Sequence, residues 1–121
     1  MKTKLLKTPR KFSPCKGINL KDMGEVWLQK DEQLTFKTKS GRRNDVTKKS
    51  WGFYLSNSIN SNLKKQGFKT ALVVSYASKT PSLYVNLVEK EKVKEFQAYL
   101  DKFNVKLIAW LDEWSEEKSI F

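Results

Sequence analysis

The sequence contains no histidine, and this absence excludes more chemistry than any other feature of the chain. Without histidine there is no Ser-His-Asp or Cys-His nucleophile, and no zinc site built from Cys and His. A catalytic metal would need carboxylates alone, and general acid–base work would fall to Asp, Glu, Lys or Tyr. No spacing pairs the acids at positions 25, 31, 32 and 45 for that role. We therefore predict a protein that is not an enzyme and that binds no cofactor or metal.

Cysteine and long apolar stretches are also scarce. Cys15 is the only cysteine, so no disulfide forms within the chain and a reducing compartment is expected. No window approaches the roughly 18 apolar residues that a membrane-spanning helix needs. The basic residues at the start of the sequence are not followed by the apolar segment of a signal peptide. These observations predict a cytoplasmic protein without a membrane partner.

Positive charge is abundant and unevenly distributed. The chain has 24 Lys and Arg against 13 Asp and Glu, a net charge of +11. Residues 1–22 hold seven of the cations and a single acid, Asp22, together with few large apolar side chains. Such a segment buries too little surface to offset the entropy of ordering it. The sequence therefore predicts a disordered basic tail over residues 1–22 and a single domain over residues 23–121.

The remaining pattern predicts an α+β domain. Alternating apolar and polar residues indicate strands at residues 24–29, 33–38, 45–49, 50–56, 68–77 and 82–90. The β-branched run from Ala71 to Val74 predicts a central position for its strand. A short helix is expected between residue 56 and Gly67, and apolar residues at three- and four-residue steps from residue 91 to Trp114 predict a longer one. Residues 104–111 fit either the end of that helix or a last strand.

We therefore expect a mostly antiparallel sheet of about five to six strands, with one short helix and one longer C-terminal helix packed on one face. Trp51, Phe53 and Leu55 lie on the same side of their strand, and this alternation predicts that they are core residues. Trp110 and Trp114 share the apolar stripe of the longer helix and are expected in the core as well. An exposed Trp114 would instead mark a docking patch.

Residues 37–69 form the candidate binding segment, because they hold nine cations against Asp45 alone, a net charge of +8. Concentrated positive charge attracts phosphates, so the segment predicts a non-enzymatic module that binds a polyanion, either nucleic acid or a phosphate-bearing partner. Tyr54 is a candidate for stacking on a base, and the Ser- and Asn-rich helix start is a candidate phosphate site. The predicted contact residues are Lys37, Lys39, Arg42, Arg43, Lys48, Lys49, Tyr54, Ser56, Asn57, Ser58, Lys64 and Lys65.

An alternative interpretation treats this charge as solubilising only. Of the 24 cations 21 are Lys, whereas Arg is the better residue for bidentate phosphate recognition. Ser and Asn at a helix start are also the commonest caps. The protein is then an interaction or accessory subunit, either a homodimer or a module docked on a larger enzyme. Convergence of the cations on one surface separates the two hypotheses.

Overall fold

The computed structural model describes residues 1–120, and the chain folds as two compact units. Unit 1 comprises Met1–Leu34 and Val46–Tyr54; unit 2 comprises Thr35–Asp45 and the chain from Leu55 onward. The sequence predicted one domain after a tail, whereas each of these units draws on two separate chain segments. The elements are β1 Lys2–Cys15, β2 Ile18–Trp27, β3 Gln33–Lys37, β4 Arg43–Lys49, β5 Gly52–Leu55, α1 Asn62–Gln66, β6 Phe68–Ser75, β7 Ser82–Glu89, α2 Val93–Lys102 and β8 Val105–Trp110.

The first sheet is a long antiparallel hairpin of β1 and β2 where the sequence predicted a disordered tail. Its ladder runs from the pair Lys2–Trp27 to Cys15–Ile18, with irregular pairing between Leu5 and Arg10. Gly24 has φ +129°, and a Cβ there would lie 2.1 Å from the carbonyl oxygen of Lys4, so only glycine fits this close approach. Composition predicted disorder because a segment with few large apolar residues buries little surface. The hairpin does bury almost nothing, but the hydrogen bonds of its backbone ladder hold it together.

The second sheet has the strand order β3-β4-β5. A turn joins β3 to β4, in which the Thr38 amide donates to the Arg42 carbonyl at 2.8 Å. The two strands therefore form a hairpin, with Arg42 in its turn and Arg43 at the start of β4. The core prediction for the next strand is wrong, because Trp51, Phe53 and Leu55 are all exposed, Trp51 to 70%. Alternation identifies the residues that share a face, but it does not show whether another element covers that face.

The third sheet, in unit 2, has the order β7-β6-β8, and both pairings are antiparallel. The central position predicted for β6 is confirmed. Ala71 and Val73 from β6 and Leu100 from α2 are almost fully buried and form the centre of the core. Phe96, Val105, Leu107 and Trp110 pack around them. This sheet and its helix form the largest apolar cluster of the described chain.

The C-terminal region is not one long helix. α2 ends at Lys102, and Asn104 adopts φ +54°, a left-handed conformation that reverses the chain into β8. The strand alternative for residues 104–111 is therefore confirmed. Trp110 packs on the core, whereas Trp114 is exposed, contrary to prediction. The mostly antiparallel α+β character is confirmed, but three small sheets replace the single sheet of five to six strands.

None of the helices within residues 1–120 combines the length and apolar character needed to cross a bilayer. The same residues hold no group of three or more Cys, Asp and Glu side chains arranged around a possible metal ion. The cytoplasmic location stays a prediction.

Candidate functional site

Arg42, the most prominent cation of the predicted surface, is engaged inside unit 2. Its guanidinium lies 2.6 Å from Glu91 and 3.2 Å from Glu89, and its Nε donates to the Gln66 carbonyl at 2.8 Å. The side chain is only 17% exposed. Hydrogen bonds from Arg42 lower the pKa of Glu91 to about 2. Arg42 therefore fastens the β3–β4 turn to the end of α1 and to the chain after β7, and little of it faces solvent.

Most other cations of the predicted surface also have partners within their own unit. Arg43 lies 3.8 Å from Asp45, Lys49 lies 2.6 Å from Asp31, and Lys64 donates to the carbonyl of Asp112 at 3.4 Å. The ammonium group of Lys48 lies 5.9 Å from the centroid of the Phe53 ring. Of the predicted cations, Lys37, Lys39 and Lys65 have no such partner within residues 1–120. Five of the eight predicted cations thus have partners inside their own unit, and three are free.

The Ser- and Asn-rich segment makes hydrogen bonds with a buried carboxylate. Asp45 is 5% exposed; its Oδ1 accepts a hydrogen bond from the Thr35 hydroxyl at 2.6 Å, and its Oδ2 accepts one from the Asn57 amide at 3.0 Å. Asn57 Oδ1 accepts the backbone amide of Asp45 at 2.6 Å, and the Ser56 amide donates to the Asp45 carbonyl at 3.0 Å. The Thr35 hydrogen bond is the main reason why the pKa of Asp45 is lowered, and the Asn57 amide adds to it.

Ser58 also makes local contacts, since its hydroxyl accepts the Asn62 amide at 2.8 Å. Together with the hydrogen bonds around Asp45, this favours a structural role for residues 56–58 over a phosphate site. Helix α1 has five residues, so its dipole is short.

A second buried carboxylate, Asp112, was missed in the sequence because it begins an acidic run that resembles a solvated helix face. The Thr70 amide donates to its Oδ1 at 2.9 Å, and the Lys69 ammonium group lies 3.1 Å from its Oδ2. Lys69 also lies 4.7 Å from the centroid of the Trp110 ring. The chain beyond β8 is thereby attached to β6. The Thr70 hydroxyl is buried and has no hydrogen-bond partner among residues 1–120.

Free cations also lie in unit 1. Six of its lysines have no ion pair, hydrogen bond or ring contact through the ammonium group within the described chain: Lys4, Lys7, Lys11, Lys16, Lys21 and Lys30. Lys11 and Lys21 lie directly opposite each other on the hairpin, which is unfavourable for two like charges. Beside them is an open hollow of about 480 Å³, also lined by Phe12 and Leu20. An anion between the two ammonium groups would relieve their repulsion.

Unit 1 has no buried residue, and its aromatic side chains are correspondingly accessible. Trp27, Trp51, Phe53 and Tyr54 are all exposed, and Lys2 lies 5.3 Å from the centroid of the Trp27 ring. Of these, the sequence indicated only Tyr54 as a stacking residue. No sequence signal marked the others, because the aromatic content of unit 1 equals the 12% of the whole chain. Unit 1 therefore combines free ammonium groups with exposed ring faces.

No protein-family model, curated protein or solved structure matches this chain.

Proposed function

We propose that the protein binds single-stranded nucleic acid through unit 1, with the β1–β2 hairpin as the main contact surface. One observation carries the proposal: unit 1 has no buried side chain, yet it exposes six unpartnered lysines and five large aromatic rings. Its 43 residues, 34 plus 9, contain ten Lys and Arg against four Asp and Glu, a net charge of +6. The proposed ligand is still a polyanion, as the sequence predicted. The proposed binding surface, however, is the N-terminal hairpin and not residues 37–69.

The physical reason is the missing core. A two-stranded hairpin without apolar support is marginally stable in water. A ligand that binds only the ordered form stabilises it by mass action. Phosphates fit this role, because each one neutralised by a lysine releases counterions and removes repulsion between neighbouring ammonium groups such as those of Lys11 and Lys21. Polyanion binding therefore supplies stability that the unit does not obtain from its own packing.

The exposed aromatic rings favour single strands over duplex. Bases of a single strand can stack on aromatic side chains, and each stack contributes about 1–3 kcal/mol. In a duplex those base faces are already stacked on each other. Trp51, at 70% exposed, is the most accessible ring of the unit. Lys48, Lys49 and Tyr54, three of the residues predicted from the sequence, belong to the same unit and remain part of the proposed surface.

The first experiment compares two variants that lose the same charge. The hairpin variant replaces four lysines with Gln: Lys4, Lys7, Lys11 and Lys21. The control variant makes the same Lys→Gln change at four exposed lysines of unit 2: Lys79, Lys90, Lys94 and Lys118. Fluorescence anisotropy measures binding to a labelled 20-nucleotide oligo(dT) at about 0.1 M salt. Since each phosphate contact contributes roughly 0.7 of a decade under these conditions, we expect the loss of four contacts to weaken binding by the hairpin variant roughly 600-fold. The control variant should stay within about threefold of the wild type.

A third variant, Trp51→Ala, tests stacking separately from charge. Its expected loss is roughly tenfold in affinity for the single strand, with little change for a duplex of the same length. Circular dichroism checks that all three variants keep the wild-type fold. Equal losses in the hairpin and control variants would show that only net charge matters, and the proposed surface would then be wrong.

A further inference from the structure

Strand β7 forms an edge of its sheet, and this edge is open. β6 pairs with β7 from Phe68–Glu89 to Ser75–Ser82, and among residues 1–120 no strand pairs with the other side of β7. One row of backbone donors and acceptors is therefore available to another strand. Such an edge is a template for pairing unless the sequence protects it.

The sequence of β7 does not protect this edge. Residues 82–88 contain no charged side chain and no proline, although the whole chain has a net charge of +11. Leu83, Tyr84 and Val85 are 63%, 56% and 55% exposed. Leu83 and Val85 point to one face and Tyr84 to the other, so apolar surface extends around the edge. These are the properties of a strand that is covered in the functional form of a protein.

The opposite edge of the same sheet provides an internal comparison. β8 contains Lys106, and its pairing with β6 is interrupted by a register shift between Leu72 and Val73. A lysine and a bulge are two of the devices that prevent edge-to-edge pairing. The two edges therefore differ: β8 is protected and β7 is not.

We infer that β7 pairs with β7 of a second copy of this chain, antiparallel and around a twofold axis, to form a six-stranded sheet. A second copy fits this edge, because residues 82–88 of β7 carry no charge and two strongly cationic copies can pair along them without like charges in contact. An antiparallel pair of identical strands is self-complementary, as a twofold interface requires. Strand pairing over eight residues buries roughly 1,000 Å² in total, the lower end for a specific interface, so we expect a dissociation constant in the micromolar range.

The inference goes beyond nucleic-acid binding, because β7 belongs to unit 2 and none of the proposed phosphate or stacking residues lies on it. The two proposals can therefore fail separately. If both hold, the dimer carries two hairpins, and oligonucleotides long enough to reach both of them should bind more tightly than short ones.

Analytical ultracentrifugation of the full chain from 1 to 100 μM, without nucleic acid, tests the inference. The buffer contains about 0.5 M salt, which screens the long-range repulsion between cationic copies. The test variant is Leu83→Lys with Val85→Lys, which places four lysines at the shared edge of a dimer. The control is Ile108→Lys on β8, where an apolar residue is also exposed. Thermal unfolding verifies that each variant is folded.

We expect a concentration-dependent dimer for the wild type, a dissociation constant raised at least roughly 30-fold by the double substitution, and a change below about twofold in the control. A wild type that sediments as a monomer at 100 μM would overturn the inference and leave the β7 edge to a strand of another protein. A dimer that survives the double substitution, or one that Ile108→Lys dissociates equally well, would overturn it as well, because the contact would then lie elsewhere.

Discussion

Replacing Thr70 by valine should stabilise the protein. The Thr70 side chain is 1% exposed, and its hydroxyl has no hydrogen-bond partner among residues 1–120. A buried polar group without a partner costs about 1–3 kcal/mol, and valine keeps the shape while removing that group. The Thr70 backbone amide, which donates to Asp112, is unaffected. We expect the free energy of unfolding to rise by about 1 kcal/mol, which corresponds to about 4 °C in Tm for a chain of this length.

The matched control makes the same substitution where the hydroxyl is used. Thr35 donates to the buried carboxylate of Asp45 at 2.6 Å, so Thr35→Val removes a hydrogen bond to a charged group and should destabilise the protein by about 1.5 kcal/mol. Urea unfolding followed by circular dichroism gives both free energies. Opposite signs support the hydrogen-bond pattern. A Thr70→Val variant that is destabilised by more than about 0.5 kcal/mol would refute the reasoning, since the hydroxyl would then have a partner.

Two further predictions concern Arg42 and its neighbours. The folded-state pKa of Glu91 is about 2, below the ordinary 4.5, so the stability contributed by the Arg42–Glu91 pair is complete above pH 4.5 and is lost as the pH falls toward 2. Arg42→Met should therefore flatten the Tm–pH curve in this range. An unchanged curve would contradict the contact. Gly67 has φ +99°, and an added Cβ would lie 2.6 Å from the Arg42 guanidinium, so Gly67→Ala should cost about 1–2 kcal/mol or more in chemical denaturation. Gly41→Ala, at φ +91° in open space, should cost less, and equal losses would contradict the crowding at Arg42.

Local pattern was sufficient for the core sheet. The β-branched run of β6 identified the central strand, and the alternation in residues 82–90 identified a second strand of the same sheet as a strand. In each case the decisive information lies within about ten residues, where side-chain periodicity reflects the backbone directly.

Contacts between distant residues explain what the pattern missed. Arg42 binds Glu89 and Glu91, nearly fifty positions away, and these carboxylates turn an apparent ligand-binding cation into a structural one. The same holds for Asp112, which is buried because Lys69 and the Thr70 amide reach it from β6. Trp51 and Phe53 show the opposite error: their alternation is that of a half-buried strand, but both rings are exposed.

The hairpin of residues 2–27 is the largest difference from the sequence prediction and also the basis of the proposed function. Composition correctly indicated that these residues form no core, and from this it predicted disorder. The structure instead pairs them as strands and leaves five of their six lysines without partners. Low burial thus has two outcomes, a mobile segment or an ordered surface that is completed by a ligand, and composition alone does not separate them.

The salt dependence of oligonucleotide binding tests the central claim most directly. Wild-type affinity for a 20-nucleotide single strand is measured from about 25 to 200 mM salt. Six lysines in contact with phosphates predict a slope of log K against log salt near −4. In the four-lysine hairpin variant the magnitude of this slope should be smaller by about 3. A wild type that does not bind at the lowest salt, or a hairpin variant with the wild-type slope, would contradict the account.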